Sequence, residues 1–167
     1  MSHAKSASAD PSRALLRHAL ATLAYRGGKT VRDARPSFAT FALGEKPRTP
    51  AQILAHMGDL MDWALSKARG QERWHDSKPL PWDEEGARWF AAVGRLDDYL
   101  ASDAPLHASA EELFQGAIAD SLTHVGQLAM MRRLAGAPIR GENYAAADIV
   151  TGRTGANQSP PRKPFSP

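Results

Sequence analysis

Cysteine is absent from the 167-residue chain, which excludes a disulfide framework, a thiolate zinc site and a catalytic thiol. Long apolar runs are absent too. No stretch approaches the length that crosses a bilayer, and Met1 to Arg13 are small and polar, without the apolar centre of a secretory signal. The expectation is a cytoplasmic protein with no membrane association. No segment alternates β-branched and polar residues, so no sheet is expected. Acidic residues are missing after Gly152, where Arg153, Arg162 and Lys163 are the only charged groups. The formal charge of +3 therefore resides in the tail, leaving 18 basic and 18 acidic groups in residues 1–151. A balanced body offers no phosphate-tracking face, and no nucleic-acid partner is expected. The adjacent pair Arg132-Arg133 reads as a helix end, where cations complement the helix dipole.

What the chain does have is an apolar fraction of 43%, enough for one hydrophobic core in a single domain. Four stretches carry helical periodicity, and the class expected is all-α, a four-helix bundle over residues 12–137. Residues 1–11 are expected to be flexible. Residues 138–167 form a C-terminal extension, expected to be loosely structured after 158 because it is rich in Pro, Ser and basic residues. The first stretch opens after Asp10-Pro11 and carries Leu15, Leu16, Ala19, Leu20 and Leu23. At Gly27-Gly28 it can end, kink or continue through Thr30 to Asp33, and Pro36 is a firm stop. The loop from Arg35 to Arg48, with Phe38, Phe41 and Leu43, is apolar enough to lie over the bundle. Thr49-Pro50 opens the second stretch, in which Ile53, His56, Met57, Leu60, Met61 and Ala64 share one stripe. A long crossover from Gln71 to Trp82 follows. The third helix runs from about Asp83 through Trp89, Phe90, Val93, Leu96 and Leu100. The fourth begins at the capping box Ser109/Glu112, with Leu113, Ala117, Asp120, His124, Gln127, Leu128 and Met131 on its inner stripe.

Two of those inner residues carry metal-ligand chemistry. Asp120 and His124 are one helical turn apart, so their side chains can hold the same ion. His56 is the single polar residue on the stripe of the second helix, on the face expected to meet the fourth. Two imidazole nitrogens and one carboxylate oxygen would leave coordination positions for water or substrate, as catalytic sites do. The same residues are also compatible with a hydrogen-bonded core histidine and a surface Asp-x-x-x-His ion pair. His3, His18, His75 and His107 lack a paired ligand or lie in connections.

The run Ala119-Asp120-Ser121-Leu122-Thr123-His124-Val125-Gly126-Gln127 resembles the last bundle helix of the DinB-like (DinB/YfiT-like) metalloenzyme superfamily. The signature there is a ligand, three residues, His, any residue, then Gly-Gln. The segment Thr49-Pro50-Ala51-Gln52-Ile53-Leu54-Ala55-His56 resembles that family's second helix with its single metal-binding His. The likeness spans roughly residues 12–137. It implies an up-down-down-up bundle, a homodimer and a divalent ion on His56, Asp120 and His124. Asp120 stands where many relatives carry His, and a harder, anionic ligand favours zinc, nickel, iron or manganese. Gln127, one turn beyond His124, is a candidate to orient a ligand, and Asp59, three residues after His56, is considered as a general base near the site, with a solvent-facing position as the plain alternative. Gly126 is read as packing, letting another helix approach.

The resemblance implies a metal-dependent enzyme in which the ion activates a low-molecular-weight thiol or water against a small-molecule substrate, as a thiol transferase or hydrolase. The alternative is a non-catalytic, stress-associated binding or dimerisation bundle with a structural trio.

Overall fold

The computed structural model describes residues 10–166. The expectation of flexibility for residues 1–11 therefore falls almost wholly outside the described residues. Among those, the regular elements are helical, apart from one isolated bridge between Glu142 and Pro164. None of these helices is long and apolar enough to cross a membrane.

Helix α1 (Pro11–Val31) starts where Asp10 accepts a hydrogen bond from the Ser12 amide, with Pro11 at the first position. Gly27-Gly28 neither ends nor kinks the register. A Cβ on Gly27 would lie 2.4 Å from the Trp89 ring, so this glycine serves close approach of the third helix. Leu16, Leu20 and Leu23 are buried as expected, but Leu15 is 69% exposed, because its position rotates it off the inner stripe. The inner face extends instead to Tyr25, only 1% exposed.

Helix α2 (Pro50–Ala68) carries a full capping box: Gln52 N donates to Thr49 Oγ1 at 3.3 Å and Thr49 N to Gln52 Oε1 at 2.9 Å. Ile53, Met57, Leu60, Met61 and Ala64 are buried, and His56 is half-buried. Helix α3 (Trp82–Ala101) begins one residue earlier than the periodicity suggests. Its acidic first turn, Asp83 to Glu85, complements the dipole. Helix α4 (Ala110–Leu113) opens on the Ser109/Glu112 capping box and continues through a π turn (Phe114–Ile118) into α5 (Ala119–Leu134).

Helix α1 packs on α3 and α5, and so does α2, around one core. Arg13, near the start of α1, donates to the Ser102 carbonyl at 2.9 Å just past the end of α3, and Arg17 pairs with Asp97 at 2.9 Å. Arg88 of α3 reaches the Ala55 carbonyl of α2 at 2.6 Å, and farther along Arg95 meets Asp62 at 2.7 Å. Arg132, near the end of α5, donates to the carbonyls of Thr30 and Arg32 at 3.1 and 2.9 Å, supplying partners that the end of α1 lacks. Phe38 is buried edge-on against Trp82, so the loop does lie on the helices there, whereas Leu43 is exposed.

After 158 the C-terminal extension has little regular structure but pairs with the segment before it. Asn143 N bonds the Lys163 carbonyl at 3.0 Å and Phe165 N the Gly141 carbonyl at 2.9 Å, while Glu142 is buried against α1. Its carboxylate accepts from Tyr25 Oη at 2.9 Å and Lys29 Nζ at 2.8 Å. One buried, fully partnered carboxylate plus backbone pairing anchors a segment whose composition alone promises no core.

Candidate metal centre

His56 lies in the second turn of α2, and Asp120 opens α5 directly after the π turn. A π turn inserts one residue into the helical ring and is frequent at functional sites. His124 follows Asp120 by one turn. His56 Nε2 stands 3.5 Å from Asp120 Oδ2, and His124 Nε2 stands 3.5 Å from Asp120 Oδ1. One ligand atom from each residue lies within 4.8 Å of the others, so the three form a group that could hold a metal ion. The imidazole rings are 5.0 Å apart and nearly perpendicular. Burial is graded: the His124 side chain is 9% exposed, that of His56 20% and that of Asp120 44%.

The donor set fits a cation on chemical grounds. His124 Nδ1 is 2.8 Å from Gln127 Oε1. An amide oxygen there favours the tautomer protonated on Nδ1, which leaves Nε2, on the Asp120 side, as the nitrogen available to a cation. Burial, then the neighbouring His124 and Arg48, hold His56 below the ordinary histidine pKa against the opposing pull of Asp120. Both the direction and its cause favour the uncharged ring, the form in which an imidazole can accept a metal ion. A separation of 3.5 Å is also long for a charged N–H···O bond, about 2.7–2.9 Å. The two separations reach different oxygens of Asp120, and one atom from each residue falls within 4.8 Å of the others, a looser set than the edge of about 3.4 Å between ligands of one tetrahedral ion with bonds near 2.1 Å.

Of the two companions expected from sequence, the structure brings Gln127 to the trio and not Asp59. Asp59 is 2% exposed. It accepts from Ser77 N at 2.8 Å, Ser77 Oγ at 2.7 Å and Arg88 Nη1 at 3.1 Å, anchoring the crossover between α2 and α3. Gly126 is exposed with nothing within 4 Å of a built Cβ, so no helix approaches it. His18 faces Thr151 at 3.4 Å, while His75 and His107 line depressions away from the trio. His3 lies outside the described residues.

Two concavities flank the trio. The larger, about 750 Å³, is lined by Leu60, Trp63, Trp74, Gln115, Gly116, Ala119, Asp120 and Thr123. The smaller, about 360 Å³, is polar and includes Arg48, Gln52, His56 and Lys78. Sequence reasoning missed Trp63, Trp74 and Arg48. The one available signal was Trp74, a large apolar residue set among the polar residues 71–78 of the crossover. No protein-family model, curated protein or solved structure matches the chain. Fold and site together define an all-helical protein with a two-histidine, one-carboxylate group suited to a divalent cation.

Proposed function

We propose that the chain is a metal-dependent enzyme of the DinB-like type, a four-helix bundle with up-down-down-up topology. The cross-helix contacts support that topology. Pairs 17/97 and 31/82 oppose α1 to α3, pairs 55/88 and 62/95 run α2 alongside α3, and pairs 56/124 and 63/116 oppose α2 to α5. Contacts 27/125 and 30/132 set α1 alongside α5.

The observation that carries the reading is the convergence of His56, Asp120 and His124 on one group beside an open cavity, with Gln127 Oε1 2.8 Å from Nδ1 of His124. His56, Asp120 and His124 would hold the ion, and zinc, nickel, iron or manganese suits two imidazoles and a carboxylate. A divalent ion supplies the Lewis acidity that lowers the pKa of a bound thiol or water into the neutral range. The residues themselves orient and shield. Gln127 holds the His124 ring, the Trp74 and His56 rings meet edge to face at 5.6 Å between centroids, and Arg48 and Lys78, in a pocket that also holds Asp59 and Asp76, offer cations to an anionic part of a substrate. The proposal includes a small-molecule substrate, a low-molecular-weight thiol as co-reactant and a homodimer, all three carried by the resemblance.

Metal analysis of untagged protein tests it, followed by a screen of thiols against small electrophiles. The expected result is one divalent ion per chain and thiol consumption that disappears with chelator and returns with metal. Ion content no higher than in a His56→Ala, His124→Ala double variant would refute it.

A further inference from the structure

We infer that the molecule accepted at this site carries a flat aromatic group, seated in the corner between Trp63 and Trp74. The inference rests on the metal-site reading for its catalytic meaning but on separate residues for its geometry. Trp74 is 46% exposed, whereas Trp82 and Trp89, which serve the core, are 5% and 0% exposed. Its backbone is nevertheless tied down on both sides: Arg73 N bonds Ser66 Oγ at 2.9 Å, and Ser77 N bonds Asp59 at 2.8 Å. Trp63 is held by its Nε1 donating to Glu72 at 3.0 Å. The two rings stand 6.2 Å apart at 82°, so a planar guest can stack on one face and meet the other ring edge-on, both favoured aromatic arrangements. Gly116, in the π turn, lines the same cavity and lets the helix lie close to Trp63, since a Cβ there would come 3.3 Å from that ring.

An alkylammonium ion is the competing guest, because aromatic corners beside a carboxylate also bind cations. Lys67 already places its ammonium 5.2 Å from the Trp63 ring centre, and Asp120 faces two imidazoles. A neutral aromatic group is therefore the better fit.

The test is nuclear magnetic resonance of the tryptophan indole N–H signals in the full chain, titrated with 2-naphthol, decahydro-2-naphthol and tetramethylammonium, with and without zinc. Trp63 and Trp74 signals should move with 2-naphthol while buried Trp82 and Trp89 stay fixed. The aromatic alcohol should bind about fivefold or more tightly than its saturated counterpart. Trp74→Leu, which keeps apolar bulk, should erase that preference, and Trp74→Phe should keep most of it, with unmoved Trp82 and Trp89 signals certifying the fold. Equal binding of the two alcohols, no binding of either, or stronger binding of tetramethylammonium overturns the inference. Aromatic selectivity without zinc uptake supports the corner and defeats the metal reading; zinc uptake without selectivity does the reverse.

Discussion

A histidine's use as a ligand depends on which nitrogen bears the proton, and at His124 the Gln127 amide decides it. Gln127→Ala should weaken metal binding about tenfold, as loss of such a partner typically does. The melting temperature of the metal-free protein should barely change, because Gln127 is exposed. Calorimetric titration with zinc checks the first and a thermal melt the second; an unchanged affinity would remove Gln127 from the site. At Tyr25, burial first and then the bond to Glu142 raise the phenol from 10.0 to about 12. Between those values the unfolded phenol has lost its proton and the folded one has not. The stabilisation is complete below pH 10 and is lost as pH rises through about 12. Absorbance titration should show one late tyrosine, absent in Tyr25→Phe; all tyrosines titrating together near pH 10 would contradict it. Residue type and helical spacing made the trio a candidate but left a core histidine and a surface ion pair open, and the family resemblance singled out the metal reading. The fate of Asp59 was not legible, since only the fold brings Ser77 and Arg88 to its carboxylate.

At the scale of elements, glycine shows what a sequence leaves undecided. Gly27 and Gly126 both sit inside helices, yet a Cβ on the first would meet Trp89 at 2.4 Å and on the second nothing within 4 Å. The same substitution should therefore have opposite signs. Gly27→Ala should destabilise by about 1–3 kcal/mol through overpacking, and Gly126→Ala should stabilise by about 0.5–1 kcal/mol through helix propensity. Urea unfolding of both variants checks this, and equal effects would mean that α1 and α3 are not so closely packed. Helix starts were readable from Asp10-Pro11, Thr49-Pro50 and Ser109/Glu112, because capping chemistry is local. The π turn and the anchoring of Glu142 were not, because both depend on partners distant in sequence, Gly116 with Trp63 and Glu142 with Tyr25.

Across the whole molecule, periodicity was enough for an all-helical class, since four amphipathic stretches without sheet signals leave few other ways to bury one core. Even the basic tail is partly compensated, Arg153 and Arg162 both lying near Asp148 at 3.9 and 3.7 Å. The central claim is that folding creates one divalent-ion site from His56, Asp120 and His124, and linkage makes that measurable on the whole chain. An ion that binds only the folded state stabilises it by about 2.7 kcal/mol at a hundredfold excess over its dissociation constant. For a domain of this size that raises the melting temperature by roughly 5–10 °C. The decisive measurement is the thermal melt of wild type and His124→Ala, each with chelator and with excess zinc or nickel. A metal-dependent rise is expected in the wild type and none in the variant; the same response in both proteins would contradict a divalent-ion site on His124.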